Sequence, residues 1–200
     1  MENEAEKRES KKTGIQENVL DYLHDLIYIL TAVVLLCLLC FRVVVVNGSS
    51  MYNTLIDGDY LLLLSNTFYQ EPQAGDIVVA SIDSFDNGKP IVKRVIATEN
   101  QIVDIDFEAG IVYVDGVALD EDYTYTKTTN EEGVSFPLRV EPGHVFLLGD
   151  NREKSRDSRY PDIGQVDKRE LLGKAIFLFM PGTNQGNDPF DISRIGVLGK

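Results

Sequence analysis

Positive charge, cysteine and histidine are all scarce in this chain. It has 19 Lys and Arg against 32 Asp and Glu, a formal net charge of -13, which argues against a surface that binds nucleic acid through clustered cations. Both cysteines, Cys37 and Cys40, lie in one apolar run, so the rest of the chain has no disulfide framework and no cysteine-based zinc site. We therefore expect no nucleic-acid partner, no metal and no cofactor.

One uncharged run of sixteen residues, Leu26 to Phe41, stands out from this polar background. As a helix it would span about 24 Å, somewhat less than the roughly 30 Å of a hydrocarbon core, and the flanking apolar residues can supply the rest. Arg42 and four valines follow the run, not a small-x-small cleavage site. This pattern favours a retained transmembrane anchor over a cleaved signal peptide.

The distribution of basic residues predicts the orientation of the anchor. Lys7, Arg8, Lys11 and Lys12 precede the run, whereas only Arg42 lies close after it, so the positive-inside rule puts the N-terminus in the cytoplasm. We expect a single-pass protein of the plasma membrane, divided into a cytoplasmic tail (1–25), an anchor (26–41), an extracytoplasmic domain (42–184) and a C-terminal tail (185–200).

Beyond the anchor the sequence reads as strands separated by turns. Short runs rich in β-branched and aromatic residues alternate with Gly and Asp-Gly pairs, which indicates an all-β, largely antiparallel domain. The predicted strands are Val43–Val46, Asp59–Leu64, Asp76–Ile82, Pro90–Ala97, Gln101–Phe107, Ile111–Val114, His144–Leu148 and Lys174–Met180. Residues 98–140 carry no chemical motif and are interpreted as a non-catalytic insert.

A serine directly after the anchor region raises the question of a base, since a serine hydroxyl is a poor nucleophile unaided. A Ser-His-Asp triad would have to use His144, which stands at the start of a predicted strand. Lys93 is the better candidate, because strand alternation puts Lys93 and Arg94 on opposite faces and a buried lysine can be neutral near pH 7. An exposed lysine at a strand edge is the alternative.

Three sequence boxes carry a family resemblance. They are Gly48-Ser49-Ser50-Met51-Tyr52-Asn53-Thr54-Leu55, Val92-Lys93-Arg94-Val95-Ile96, and Gly149-Asp150-Asn151-Arg152 followed by Ser155, Asp157, Ser158 and Arg159. In this order behind one N-terminal anchor, they resemble the boxes of the type I signal peptidases, the bacterial Ser/Lys proteases of peptidase family S26. The resemblance implies the fold shared by signal peptidases and repressor-type peptidases.

The resemblance also implies roles for individual residues. Ser50 matches the family's nucleophile, Lys93 its general base, and Ser155 the hydroxyl that hydrogen-bonds and orients the lysine. The charged residues of the boxes match two structural pairs, Arg94 with Asp150 and Asp157 with Arg159. The Ser50 N–H is expected to donate to the oxyanion, without a side-chain donor at Gly48, where some relatives have serine.

The implied substrates are signal peptides of pre-proteins, cut after a small-x-small (Ala-x-Ala) site at the lipid bilayer. Shallow apolar pockets are expected to select the small residues. By match to the boxes, their lining would be Val44, Val46, Met51, Leu55, Ile91 and Val92.

One departure and two alternatives remain. Asn53 replaces the proline that is usual in the serine box, so the turn after Ser50 is expected to be less rigid. The alternatives are a self-cleaving Ser/Lys peptidase of the repressor type, against which the anchor argues, and a catalytically silent relative that acts in assembly. Silent relatives lose the serine or the lysine, and this chain has both.

Overall fold

The computed structural model describes the backbone of residues 2–199 and the side chains of residue 20 and residues 22–199. The chain forms two compact units, residues 1–40 and residues 41–200. The first is one helix, α1 (Glu2–Cys40). Its segment Tyr22–Cys40 has a mean hydropathy of 2.3 and is apolar and long enough to cross a membrane, since nineteen helical residues rise about 28 Å.

The second unit is built from twelve strands. They are β1 (Phe41–Val45), β2 (Tyr60–Ser65), β3 (Ile77–Ala80), β4 (Ile91–Thr98), β5 (Ile102–Asp106), β6 (Ile111–Val114), β7 (Val117–Ala118), β8 (Leu138–Arg139), β9 (His144–Leu148), β10 (Val166–Asp167), β11 (Leu171–Met180) and β12 (Gly196–Val197). Every pairing between these strands is antiparallel. The expected all-β antiparallel domain behind one apolar helix is confirmed.

A large sheet and a small sheet divide the strands. The large sheet has the order β1-β2-β11-β3-β4-β9-β10, with β12 paired to the far part of β11, and the small sheet has the order β7-β6-β5-β8. The small sheet belongs to the segment 98–140. Strand β4 lies between β3 and β9 inside the large sheet, and its residues 92–97 are all buried, so both of its faces are covered.

Burial alternates along β2 and shows which of its faces lies in the core. In β2, Leu61 and Leu63 are fully buried while Leu62 and Leu64 are half-buried, the period of two expected of a strand with one covered face. Leu61 and Leu63 pack in one cluster with Val79, Val92 and Leu178. This cluster also receives side chains from the loop between β1 and β2, which carries Ser50.

Candidate active site

The loop between β1 and β2, residues 46–59, is called the serine loop here. Its backbone forms a turn, in which the Leu55 N–H donates to the Met51 carbonyl at 2.8 Å. Met51 and Leu55 are 1% and 0% exposed and both pack in the core. The buried pair anchors the loop and leaves Ser50, directly before it, partly exposed.

Strand β4 brings Lys93 to this serine. Lys93 Nζ and Ser50 Oγ form a hydrogen bond of 2.8 Å, and Nζ also donates to the Val92 carbonyl at 3.0 Å. Lys93 is 3% exposed. Burial lowers the Lys93 pKa from 10.5 to about 8, and the negative charges of Asp157 and Asp150 limit that fall. A lysine with this pKa can accept the Ser50 proton in mildly alkaline solution.

Arg94, the next residue of β4, is also 3% exposed. Alternation puts Lys93 and Arg94 on opposite faces of the strand, and both are buried because β4 is a central strand. Arg94 donates to both carboxylate oxygens of Asp150, at 2.9 and 2.7 Å. Its guanidinium also donates to the Gly75 carbonyl at 2.9 Å and lies 4.0 Å from the centre of the Tyr123 ring. These contacts satisfy a buried charge that would otherwise be costly.

Asp157 and Arg159 form a second ion pair, with both side chains 0% exposed. Arg159 Nε and Nη2 donate to the two Asp157 oxygens at 2.9 and 3.0 Å. Asp157 also accepts from the Gly149 N–H at 3.1 Å, and Arg159 donates to the Arg152 carbonyl at 2.6 Å. The pair therefore holds the turn after β9 closed on itself.

Ser155 does not form the hydrogen bond to Lys93 that the resemblance implies. Its Oγ is buried and has no hydrogen-bond partner among the described residues. A Cβ built on Gly149 would lie 2.2 Å from Ser155 Oγ and 2.5 Å from the Ser50 carbonyl oxygen, so Ser155 and the Ser50 backbone both pack closely against Gly149. The lysine is held by Ser50 and Val92 instead.

Asn151 and Thr54, which have no role in the sequence analysis, support the serine loop. The Asn151 side chain donates to the Ser49 carbonyl at 3.1 Å, and its N–H donates to the Ser50 carbonyl at 3.0 Å. Thr54 Oγ1 donates to Asp150 at 2.5 Å. Asn151 and Thr54 lie inside the sequence boxes, and this position is the feature of the sequence that points to them.

The segment 98–140, expected to be a plain insert, braces the same region. Glu121 forms an ion pair with Arg152, which is 1% exposed and also donates to Thr128 at 2.6 Å. The Tyr125 N–H donates to the Asp150 carbonyl at 2.9 Å, and the Tyr125 ring packs edge-on against Tyr52 of the serine loop. No sequence motif marks these contacts, because they depend on tertiary packing alone.

A cavity of about 400 Å³ opens beside Ser50 and Lys93. Of the residues expected to line a substrate pocket, Val44, Ile91 and Val92 line this cavity. Val46, Met51 and Leu55 do not line this cavity, since they are at most 4% exposed and pack in the core. The remaining lining was not foreseen and comes from Val45, Asn47, Asp86, Lys89 and Pro90.

The triad alternative finds no support in the geometry. His144 Nδ1 lies 3.0 Å from the Pro142 carbonyl oxygen, and His144 pairs with Asp167 across β9 and β10. Leu148, at the other end of β9, pairs with Arg94, and four strand residues span about 13 Å. The group in contact with Ser50 Oγ is Lys93.

Comparison with known proteins assigns the family. Residues 19–180 match the family model described as "Signal peptidase, peptidase S26". The chain is 34% identical to "Probable signal peptidase I-1" of Synechocystis sp., covering 79% of this chain and 82% of that protein. It is 29% identical to "Signal peptidase I" of Bacillus licheniformis, covering 86% and 95%.

A crystal structure of a signal peptidase I from Enterococcus faecalis V583 aligns with 52% of this chain and 97% of its own, at 30% identity and a TM-score of 0.43. The family model covers well over half of the residues, and the relatives named signal peptidase I align with most of the chain. The chain therefore belongs to the signal peptidase family, peptidase S26, and the expected enzyme class, a serine peptidase of the signal peptidase I type, is confirmed.

Proposed function

We propose that this chain is a membrane-bound endopeptidase that removes N-terminal signal peptides from exported proteins, with Ser50 as nucleophile and Lys93 as general base. The observation that carries the proposal is the hydrogen bond of 2.8 Å between Nζ of the buried Lys93 and Oγ of the partly exposed Ser50. A serine needs an adjacent base to attack a peptide carbonyl, and Lys93 is the base within reach.

The reaction follows from this pair. Neutral Lys93 takes the Ser50 proton while Oγ attacks the carbonyl carbon of the scissile bond. The resulting ammonium then donates its proton to the nitrogen of the departing mature protein, and the acyl group stays on Ser50 as an ester. Lys93, neutral again, takes a proton from water, which attacks the ester. Lys93 then returns that proton to the departing Ser50 Oγ, and the signal peptide is released with a free carboxylate.

The developing oxyanion needs a donor. In residues 20–199 the Ser50 N–H forms no hydrogen bond with the chain, and it is the donor that we assign to the oxyanion. Gly48 contributes no side chain there. Its φ of +91° suits glycine, and its N–H donates to Asp57 at 2.6 Å.

The charged pairs act through the base. Asp150 and Asp157 each face Lys93 as negative charges that oppose the lowering of its pKa, and each is neutralised by its own arginine. We assign Arg94, Asp150, Asp157 and Arg159 to holding β4, β9 and the following turn in register around Lys93. Ser155, packed on Gly149, supports the Ser50 backbone from the same turn.

Substrate choice is assigned to the cavity beside Ser50. Val44, Ile91 and Val92 offer it an apolar wall, which suits the small side chains of an Ala-x-Ala site. Val46, Met51 and Leu55 are assigned a different task, which is to fix the serine loop in the core. The apolar helical segment Tyr22–Cys40 and the four Lys and Arg residues that precede it support a single-pass protein with a cytoplasmic N-terminus and an extracytoplasmic peptidase domain.

The test is the cleavage of one pre-protein by the full chain in detergent. We expect a single new N-terminus directly after its Ala-x-Ala site, identified by N-terminal sequencing. A matched pre-protein with leucine in place of the last alanine should be cut at least about tenfold more slowly, because the pocket must fit a larger side chain. No cleavage of either would favour the silent assembly factor, and cleavage only of the chain itself would favour the self-cleaving peptidase.

Substitution of Gly149 tests the geometry around Ser50 through the cleavage rate of the folded protein. Gly149→Ala puts a methyl group where Ser155 Oγ and the Ser50 carbonyl now lie, and the Ser50 backbone has to move to admit it. Since sub-ångström misplacement of reacting groups is costly, we expect kcat to fall at least about tenfold in the same cleavage assay, measured per folded molecule.

Gly196→Ala is the matched control. A Cβ at Gly196 meets no atom within 4 Å, so this variant should cleave at the native rate. Native activity in Gly149→Ala would contradict the assigned fit between Gly149, Ser155 and the serine loop.

A further inference from the structure

The C-terminal segment 181–199 lies outside the family match, which ends at residue 180, yet it returns to the catalytic unit. Strand β12 pairs with Phe177 and Leu178 of β11. The Leu198 N–H donates to the Ile176 carbonyl at 2.9 Å, and the Leu198 side chain packs against the same core cluster as Met51 and Leu55. The segment is thus folded onto the cluster that anchors the serine loop.

Arg194 forms an ion pair between this segment and the serine loop. Its Nη1 and Nη2 donate to the two carboxylate oxygens of Asp59 at 2.8 and 2.7 Å. Asp59 is 0% exposed and Arg194 is 22% exposed. The parallel two-point geometry is specific to a guanidinium, because the single ammonium of a lysine has no matching fork.

Asp59 in turn fixes the backbone at the end of the serine loop. One of its oxygens accepts from the Ile56 N–H at 2.8 Å and the other from the Gly182 N–H at 2.7 Å. With Arg194, the buried carboxylate has four donors, two on each oxygen. Without Arg194 it would be a buried charge with two neutral donors, which is a costly state.

The contact also reaches the groups around Lys93. Arg194 Nη2 lies 3.4 Å from the Thr54 carbonyl oxygen, and the hydroxyl of that same Thr54 donates to Asp150. Asp150 is one of the two carboxylates whose charge acts on Lys93. Arg194 therefore contacts the serine loop at Thr54 and, through Asp59, at Ile56, on the side of the loop that follows Ser50.

We infer that Arg194 is a positioning residue, which holds the serine loop through Asp59 so that Ser50 stays in hydrogen-bonding distance of Lys93. This inference rests on the proposed function. It assigns to the C-terminal segment a part in the reaction that the matched region 19–180 does not contain.

The test compares Arg194→Gln and Arg194→Lys with the native full chain in detergent, on the pre-protein described above. Each variant is assayed well below its own unfolding midpoint, so that kcat refers to folded protein. We expect Arg194→Gln to lower kcat about tenfold or more with KM changed less than about twofold, because the loop positions Ser50 whereas the wall of the cavity comes from other strands. Arg194→Lys should fall between native and Gln.

Arg169→Gln is the matched control. Arg169 also forms a two-point contact with an aspartate, Asp167, but the Arg169 side chain is 89% exposed. The Arg169→Gln variant should therefore have the native kcat. If Arg194→Gln does not fold, Arg194→Lys, which keeps the charge beside Asp59, decides the question.

Two results would overturn the inference. One is a lowered unfolding midpoint with native kcat in the folded variant, which would make Arg194 a stabilising residue only. The other is a rise in KM with an equal fall in kcat/KM and an unchanged kcat, which would place Arg194 in substrate binding. Absence of cleavage by the native chain would instead refute the proposed function.

Discussion

Ser50→Ala is expected to abolish pre-protein cleavage, with a loss of about 10⁴-fold or more in kcat, since removing the nucleophile of a serine peptidase leaves only binding and oxyanion stabilisation. The variant should stay folded. Ser50 is partly exposed, and its side chain makes one hydrogen bond, to Lys93. Cleavage of the same pre-protein and thermal unfolding measure the two expectations.

Ser49→Ala is the control for this assignment. Ser49 contributes its carbonyl to Asn151 and to the Tyr52 N–H, and alanine keeps that carbonyl, so the variant should retain most of the native rate. Loss of activity in Ser49→Ala alone would shift the nucleophile by one residue. Native turnover by Ser50→Ala would end the assignment.

The long strands of the fold were readable from the sequence because each has a clear physical signature. The apolar run Tyr60–Leu64 directly after Asp57-Gly58 and Asp59 predicts a strand, and Ile111–Val114 and His144–Leu148 are found at the predicted residues. The short strands β7, β8, β10 and β12 were not predicted. A strand of two residues is too short to show the alternation of apolar and polar residues, so pairing with a neighbouring strand decides its conformation.

The site was readable only in part. Ser50 and Lys93 are 43 residues apart, and nothing in either local pattern brings them together, so the family boxes carried that prediction. The roles of Arg194 and Glu121 depend on contacts with Asp59 and Arg152 across the fold. The residues next to Arg194 and Glu121 in the sequence do not indicate these contacts. Buried charge pairs formed by distant segments are the part of a site that sequence reading misses.

The same limit explains the assignment of Val46, Met51 and Leu55. A box match reports which residues accompany the nucleophile, but it does not say which way they face. Met51 and Leu55 are joined by a backbone hydrogen bond within the serine loop, and both side chains are buried in the core. Val44, Ile91 and Val92 line the cavity beside Ser50, and the proposed substrate contact is assigned to them.

Cleavage by the native chain should rise steeply with pH because the base must be neutral. With a Lys93 pKa of about 8, roughly a tenth of the lysine is neutral at pH 7 and nine tenths at pH 9, so kcat/KM should rise about tenfold over that interval. Lys93→Arg should be inactive at every pH, since a guanidinium stays protonated and cannot take the Ser50 proton. An active Lys93→Arg variant would contradict the assignment of the base.

Stability gives the same pKa an independent readout. The folded-state pKa of Lys93, about 8, lies below its ordinary value of 10.5, so between these pH values the unfolded chain binds more protons than the folded chain. The free energy of unfolding therefore gains a contribution that rises with pH across this window, and below it the cost of the buried charge is fully present. Lys93→Met removes the titrating group, so its unfolding free energy should lack this rise when both proteins are unfolded by denaturant from pH 7 to pH 10.5. Parallel pH profiles for the two proteins would mean that Lys93 keeps its ordinary pKa in the fold and that a neutral lysine is not the base at mildly alkaline pH.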